Sequence, residues 1–194
     1  MRAVLGLRPH TYWAAAVALG GPCEAPQVLE RRRLEFAEPA DRFPYHRAEE
    51  AGLARAGGII EAARLGTEAG VAAEVRRLVG ELRRCGVTIG VAATAASTTK
   101  LPATLEAILA SHSRIHAAEG VFARDAVGAG CAAAGLAVRR VVEPELTALV
   151  ADRLGVKPPE VTARLKAMGA ALGPPWSEDY KLATLAAWLC LDEG

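Results

Sequence analysis

Aromatic side chains are scarce in this sequence, where Phe, Trp and Tyr together make up 5% of the 194 residues. Proteins that hold single-stranded nucleic acid by base stacking depend on such rings, so the scarcity argues against a stacking platform. The sequence also lacks a run of about twenty apolar residues, which a membrane-spanning helix needs. Its apolar N-terminal region is interrupted by Arg8-Pro9-His10, which predicts strands and a turn and not a signal peptide. No membrane partner is expected.

Closely spaced cysteines are absent as well, because Cys23, Cys85, Cys131 and Cys190 lie far apart in the chain. This spacing excludes the zinc and redox motifs that need paired cysteines. Cys85 and Cys190 fall in helical patterns, so we expect both to be small apolar core residues of a cytoplasmic protein in a reducing compartment. The net charge of +1 excludes a strongly basic nucleic-acid coat but not a local basic patch. Nucleotide-binding glycine loops and the nucleophile elbow are also missing, and no cofactor is expected.

What the sequence does contain is a pattern of strands followed by helices. Residues 4–7, 11–19 and 28–36 predict three strands of an antiparallel meander, because they are apolar or alternating and separated by short turns. Helical spacing of apolar residues follows over 71–82, and four glycines weaken the helix pattern before it. Two more strands are predicted, at 87–92 and 136–142. Helical patterns cover 101–134, in one or two pieces, and then 144–154, 158–172 and 177–191.

This order predicts an α/β fold with a mixed five-stranded sheet, its first three strands antiparallel, and helices on both faces. The chain is long enough to bury a core, and no linker divides it. We therefore expect one domain over residues 1–194.

Three local stretches carry a resemblance to a known family. The first strand ends in Gly6-Leu7-Arg8-Pro9-His10, where that family has a Gly-x-Asp-Pro-Gly turn. The helix after the fourth strand contains Gly120, where the family also has a glycine. The last helix contains Tyr180-Lys181-Leu182-Ala183, near the position of the family's Asp-Ala-Leu-Ala motif. In these features the chain resembles the RuvC-type resolvases of the RNase H-like superfamily. The resemblance implies an RNase H-like fold. It also implies a site where carboxylates hold two divalent metals that cleave nucleic acid.

The positions at which this family carries its metal-binding carboxylates hold other residues here. Arg8 occupies the first-strand position, Ala93 and Thr94 the fourth-strand position, and Ser177 and Tyr180 the positions in the last helix. A guanidinium group stays protonated and repels Mg²⁺. The sequence therefore predicts a divergent RuvC-like protein without the usual two-metal nuclease site.

The turn after the first strand supplies the first candidate cleft residues, Arg8, His10 and Thr11. In the RNase H-like fold this turn borders the active cleft, and an Arg–His pair there would contact phosphate without a metal. A plain surface turn is the alternative. Glu178 and Asp179 are candidate cleft acids near the last helix. Alternatively, the two acids only stabilise the helix dipole from the first turn of a helix that Ser177 caps.

The second candidate set is His112, His116 and Glu119, which fall on the apolar face of a helix if residues 101–134 form one continuous helix. Buried polar groups there must pair, line a cleft or bind a metal, and the His-x-x-x-His spacing suits a metal. Polar packing without a metal is the leading interpretation. If Ser111 or Ser113 instead caps a new helix, these three residues need not lie on the apolar face.

Three functions remain open. The first is a binding module for nucleic acid or a protein partner. The second is an enzyme, either a nuclease or another hydrolase, whose site uses relocated His and Glu residues. The third is a protein that associates with itself as a homodimer. Arginine clusters at residues 31–33, 76–77, 83–84 and 139–140 predict solvated faces with ion pairs, and a phosphate-tracking surface is the alternative.

Overall fold

A five-stranded sheet in the order β3-β2-β1-β4-β5 forms the centre of the computed structural model, which describes residues 1–38 and 42–193. The strands are β1 (Arg2–Pro9), β2 (Trp13–Gly20), β3 (Gln27–Glu35), β4 (Thr88–Ala95) and β5 (Ala137–Val141). Strands β1, β2 and β3 pair antiparallel, whereas β4 pairs parallel with both β1 and β5. The predicted mixed sheet with three antiparallel strands at its start is confirmed.

Helices cover both faces of this sheet, as predicted. They are α1 (Pro44–Ala51), α2 (Leu53–Arg84), α3 (Leu105–Leu109), α4 (His112–Ala133), α5 (Leu146–Leu154), α6 (Pro158–Leu172) and α7 (Glu178–Leu189). Short 3₁₀ helices lie at Glu143–Glu145 and Leu191–Glu193. One core contains side chains of α2 and α4, and the other contains side chains of α5, α6 and α7.

The central strand β1 is apolar throughout because both of its faces are buried. Leu5 and Leu7 point into the core formed with α2 and α4, and Val4 points into the opposite core. Gly6 lies directly against α7, where an added Cβ would come within 1.8 Å of the Ala183 carbonyl oxygen. The missing side chain therefore lets β1 and α7 approach closely and fixes the N-terminal part of α7 beside the end of β1.

The 32-residue helix α2 begins much earlier than the sequence indicates, since its glycines do not interrupt it. Ala56, Ala63 and Thr67 are buried along this first half, so tertiary packing overrides the low helix propensity of glycine. Gly70 itself makes a close contact, because a Cβ there would lie 1.9 Å from the Phe36 carbonyl oxygen. Neither α2 nor any other described helix contains an apolar stretch long enough to cross a membrane.

The region predicted as one helix or two over 101–134 forms two helices. Thr104 caps α3 by accepting a hydrogen bond from the Ala107 amide at 3.2 Å, and α3 ends at Leu109. Ser111 then adopts an extended conformation, with φ −149° and ψ 122°, and α4 begins after it. The continuous-helix interpretation is therefore wrong, and the break changes which side chains share a face.

The four cysteines form no disulfide. Cys190 is buried, as expected, but the expectation that Cys85 is a core residue is wrong. Cys85 is exposed at the C-cap of α2, just after the helix ends at Arg84.

Candidate functional site

The carboxyl ends of β1, β4 and β5 lie at the same edge of the sheet, because these strands run parallel. Arg8, near the end of β1, places its Nε 2.6 Å from Oε1 of Glu143, which lies in the 3₁₀ helix just after β5. Arg124 of α4 approaches the other oxygen of Glu143 at 3.9 Å. The carboxylate of Glu143 is thus held between two guanidinium groups.

His10, in the turn between β1 and β2, has two partners. Its Nε2 lies 2.9 Å from Oδ1 of Asp179, and its ring stacks on Trp13 with the ring centres 4.0 Å apart. Asp179 is in the first turn of α7, and Ser177 occupies the N-cap position without a side-chain capping bond. Asp179 therefore does more than favour the helix dipole, because it fixes the position of His10.

A cavity of about 200 Å³ opens beside these residues. Its lining includes Arg8, His10, Thr11, His116 and Glu119, all of which the sequence singles out. Asp179 is linked to this cavity through His10, and His112 through His116. Glu178 is elsewhere: it forms an ion pair with Lys181 at 3.1 Å and lines a different cavity, between α6 and α7.

Glu119 is 4% exposed and accepts hydrogen bonds at the start of α1. Its Oε1 accepts from the backbone amides of Tyr45 at 2.9 Å and His46 at 3.3 Å, and the His46 ring Nδ1 lies 3.1 Å away. The first amides of a helix have no partner within the helix, and this carboxylate supplies one from α4. Burial raises the pKa of Glu119, and the hydrogen bonds from His46 and Tyr45 oppose that shift.

Three histidines meet next to Glu119. His112 and His116 are one turn apart on α4, with their Nε2 atoms separated by 3.0 Å, and His46 of α1 packs edge-on against both rings. One ring nitrogen from each residue lies within 4.8 Å of the others. Within residues 1–38 and 42–193 this is the one group of three or more histidine, cysteine or acidic side chains close enough to share a metal ion.

His112 and His116 are exposed in the first turns of α4, whereas Ile115 and Glu119 of the same helix are buried. The expected coincidence of all three with the apolar face is therefore wrong for the two histidines. Sequence reasoning missed His46, because no spacing pattern links it to α4. Only the packing of α1 against α4 brings it there.

A second cavity, of about 510 Å³, continues past His116 and is lined by Arg42, Phe43, His46, Arg47, Glu50 and His116. Phe43 is 45% exposed and has a left-handed backbone with φ 53°, a conformation that costs a residue with a side chain about 1 kcal/mol or more. The fold therefore holds an aromatic ring at the mouth of both cavities at an energetic cost.

Arginines and aromatic rings lie in contact along this edge of the molecule. The Arg42 guanidinium is 4.3 Å from the centre of the Tyr12 ring, and that of Arg33 is 4.0 Å from the centre of the Trp13 ring. The sequence argued against a stacking platform because aromatic residues are few overall. Several of them gather here, and a whole-chain average does not show such a concentration.

The fourth-strand position at which the resemblance implies a carboxylate holds no acid in this structure. Ala93 and Thr94 are fully buried in β4. The three carboxylates nearest the end of β1 each have a basic partner, since Glu143 pairs with Arg8, Asp179 with His10 and Glu119 with His46. Each of these three carboxylates is therefore already engaged by a nitrogen-bearing side chain.

Comparison with known proteins supports the architecture. The structure is similar to that of Thermus thermophilus RuvC, with a TM-score of 0.53 and 13% identity over 96% of this chain and 92% of the other. It is also similar to T. thermophilus RuvC in complex with a Holliday junction substrate, with a TM-score of 0.54 and 14% identity over 96% and 91%. No family model matches the sequence, and no curated protein is significantly similar to it. The chain thus has a RuvC-like fold with a divergent sequence.

Proposed function

Taking the RuvC-like fold as the premise, we propose that this protein binds nucleic acid at the edge of the sheet where β1 ends, without a two-metal nuclease site. A similar structure, that of T. thermophilus RuvC, is of a complex with a Holliday junction substrate, which makes branched DNA the first ligand to test. A protein partner is the competing possibility, and it predicts no binding to DNA of any shape.

The pairing of each nearby carboxylate with a basic side chain carries this proposal. A two-metal site needs carboxylates that are free to bridge or bind the ions. Here Glu143 lies between Arg8 and Arg124, and Asp179 is bound to His10. A magnesium ion at Glu143 would have to displace the fixed positive charges of Arg8 and Arg124, which costs electrostatic energy at such short distances, and at Asp179 it would have to displace the His10 ring.

The arginines around the two cavities support contact with phosphate. Arg8 and Arg124 line the smaller cavity, and Arg42 and Arg47 line the larger one. Guanidinium groups bind phosphate oxygens through two parallel hydrogen bonds, and the neighbouring Phe43 ring offers a surface on which a base can stack. The local arrangement thus suits a backbone-tracking surface even though the net charge of the chain is only +1.

The alternative of an enzyme with a relocated His/Glu site has weaker support. Oε1 of Glu119 already accepts three N–H groups, and Oε2 is buried from solvent. A general base must reach the proton that it removes. Glu119 lines the smaller cavity, but its Oε1 is already engaged and its Oε2 is buried, so we infer that it positions α1 and His46 and does not act on a ligand.

The test is fluorescence anisotropy with a labelled four-way junction, a duplex and a single strand, at several salt concentrations. We expect wild type to bind with an affinity that falls steeply with salt, because phosphate contacts release counterions. The double variant Arg42→Ala/Arg47→Ala should lower the log–log salt slope by about 2 and the affinity at least roughly tenfold.

The matched control is Arg77→Ala, an exposed arginine of α2 that pairs with Glu74 and Glu81 away from both cavities. This variant should bind as wild type does. A loss of log affinity in Arg77→Ala that is half that of the double variant, in proportion to the one charge removed, would show that only the net charge matters, and the proposed surface would be wrong.

A further inference from the structure

We propose that His46, His112 and His116 form a binding site for a divalent transition-metal ion such as Zn²⁺, with Glu119 holding His46 in the binding orientation. The site is separate from the carboxylates Glu143 and Asp179. It does not depend on nucleic-acid binding.

The geometry of the ring nitrogens supports this site. Zinc binds histidine nitrogen at about 2.0–2.1 Å with tetrahedral angles, so two nitrogens on one ion lie roughly 3.3 Å apart. Nε2 of His112 and Nε2 of His116 are 3.0 Å apart, and the nitrogens of all three residues lie within 4.8 Å of one another. Small side-chain rotations therefore suffice to bring the three rings onto one ion.

The tautomer of His46 is set by Glu119. The His46 Nδ1 lies 3.1 Å from the Glu119 carboxylate, which accepts its proton in a hydrogen bond and leaves Nε2 as the free donor atom. A histidine that binds a metal through one nitrogen commonly donates its other N–H to a carboxylate, which orients the ring and increases its basicity. Glu119 is itself fixed by the amides of Tyr45 and His46, so the arrangement is preorganised.

The surroundings suit an exchangeable ion. His112 and His116 are exposed, so an ion can enter from solvent, and the buried carboxylate of Glu119 offsets part of its charge. Three protein ligands leave a fourth tetrahedral position for water. Neutral imidazoles favour Zn²⁺, Cu²⁺ or Ni²⁺ over Mg²⁺, which prefers oxygen ligands.

Isothermal titration calorimetry of the chelator-treated full chain with ZnCl₂ tests this site. We expect wild type to bind one ion per chain. Glu119→Gln should bind roughly 10- to 100-fold more weakly, and His116→Ala and His112→Ala should lose more than that because each loses a ligand. His10→Ala is the matched control, since it removes the only other histidine, and it should bind as wild type does.

Thermal unfolding gives a second readout, because an ion that binds only the folded chain raises the midpoint. Zinc should raise the midpoint of wild type and His10→Ala, but not that of His116→Ala. The exposed histidines can be replaced without disturbing the core, so the metal-free variants should unfold as wild type does. The proposal is overturned if wild type binds no zinc, or if His112→Ala and His116→Ala bind it as tightly as wild type.

Discussion

At the scale of single residues, the charge at position 8 determines what the end of β1 can bind. A carboxylate at this position would attract divalent cations, whereas the guanidinium of Arg8 stays positive at any ordinary pH and attracts the carboxylate of Glu143. Glu143 is then no longer free for a metal. The residue at position 8 thus affects two potential ligands, its own side chain and that of Glu143.

The cysteines give a residue-scale prediction about reactivity. Only the thiolate reacts with alkylating reagents, and burial raises the pKa of the Cys131 thiol to about 12. Cys85 is exposed, whereas Cys23, Cys131 and Cys190 are buried. We expect brief treatment of the native protein with iodoacetamide to modify Cys85 first and to leave Cys131 intact, as read by peptide mass spectrometry. Early modification of Cys131 would mean that the packing of α4 against the sheet is wrong.

Single residues are also where sequence reasoning was weakest. Arg8, His10 and Thr11 could be placed at a cleft because their position follows from the strand that precedes them. His46 could not, since its role depends on α1 packing against α4 and leaves no mark in local spacing. Phe43 was missed for a related reason, because its left-handed backbone is imposed by the fold.

At the scale of elements, the contact between β1 and α7 positions the site. Gly6→Ala should lower the free energy of unfolding by at least about 2 kcal/mol, because the new Cβ would meet the Ala183 backbone oxygen at 1.8 Å. Gly90→Ala in β4 is the control, since a Cβ there meets nothing within 4 Å. It should change stability by no more than about 0.5–1 kcal/mol, in the favourable direction. Urea denaturation measures the free energy of unfolding of both variants. Equal changes in Gly6→Ala and Gly90→Ala would contradict the close β1–α7 contact.

The regular elements were predictable because their burial leaves a periodic signal. Continuous apolar runs predicted β1, β2 and β4. Apolar residues at helical spacing predicted the second half of α2 and the helices α5 to α7. The first half of α2 was not predictable, since its glycines lower helix propensity and only tertiary contacts compensate. The break at Ser111 was one of the two interpretations that the pattern over 101–134 allowed.

At the scale of the whole molecule, we propose that the chain unfolds as one domain. Both cores are built on the same strands, since Leu5 packs into one and Val4 into the other. Loss of either core should therefore expose the sheet and unfold the second. Thermal unfolding followed by the fluorescence of buried Trp188, in a chain whose Trp13 and Trp176 are replaced by Phe, reports the face with α7, and far-UV circular dichroism reports all helices. We expect coincident midpoints, and a separation of several degrees would indicate two independent units.

The RuvC-like fold of the whole chain is kept at 13% sequence identity. Strand order and core packing depend on apolar residues of suitable size, whereas chemistry depends on a few side chains at the sheet edge. This is why similarity to T. thermophilus RuvC at 13% identity establishes architecture and leaves activity to be decided at the site.

One assay tests the central claim, that this protein holds nucleic acid without cutting it. A labelled four-way DNA junction is incubated with the protein and Mg²⁺ or Mn²⁺, and the sample is divided between a native gel and a denaturing gel. We predict a retarded complex on the native gel and intact strands on the denaturing gel. Metal-dependent strand cleavage that a single substitution in this chain abolishes, or the absence of any retarded complex, would contradict the account.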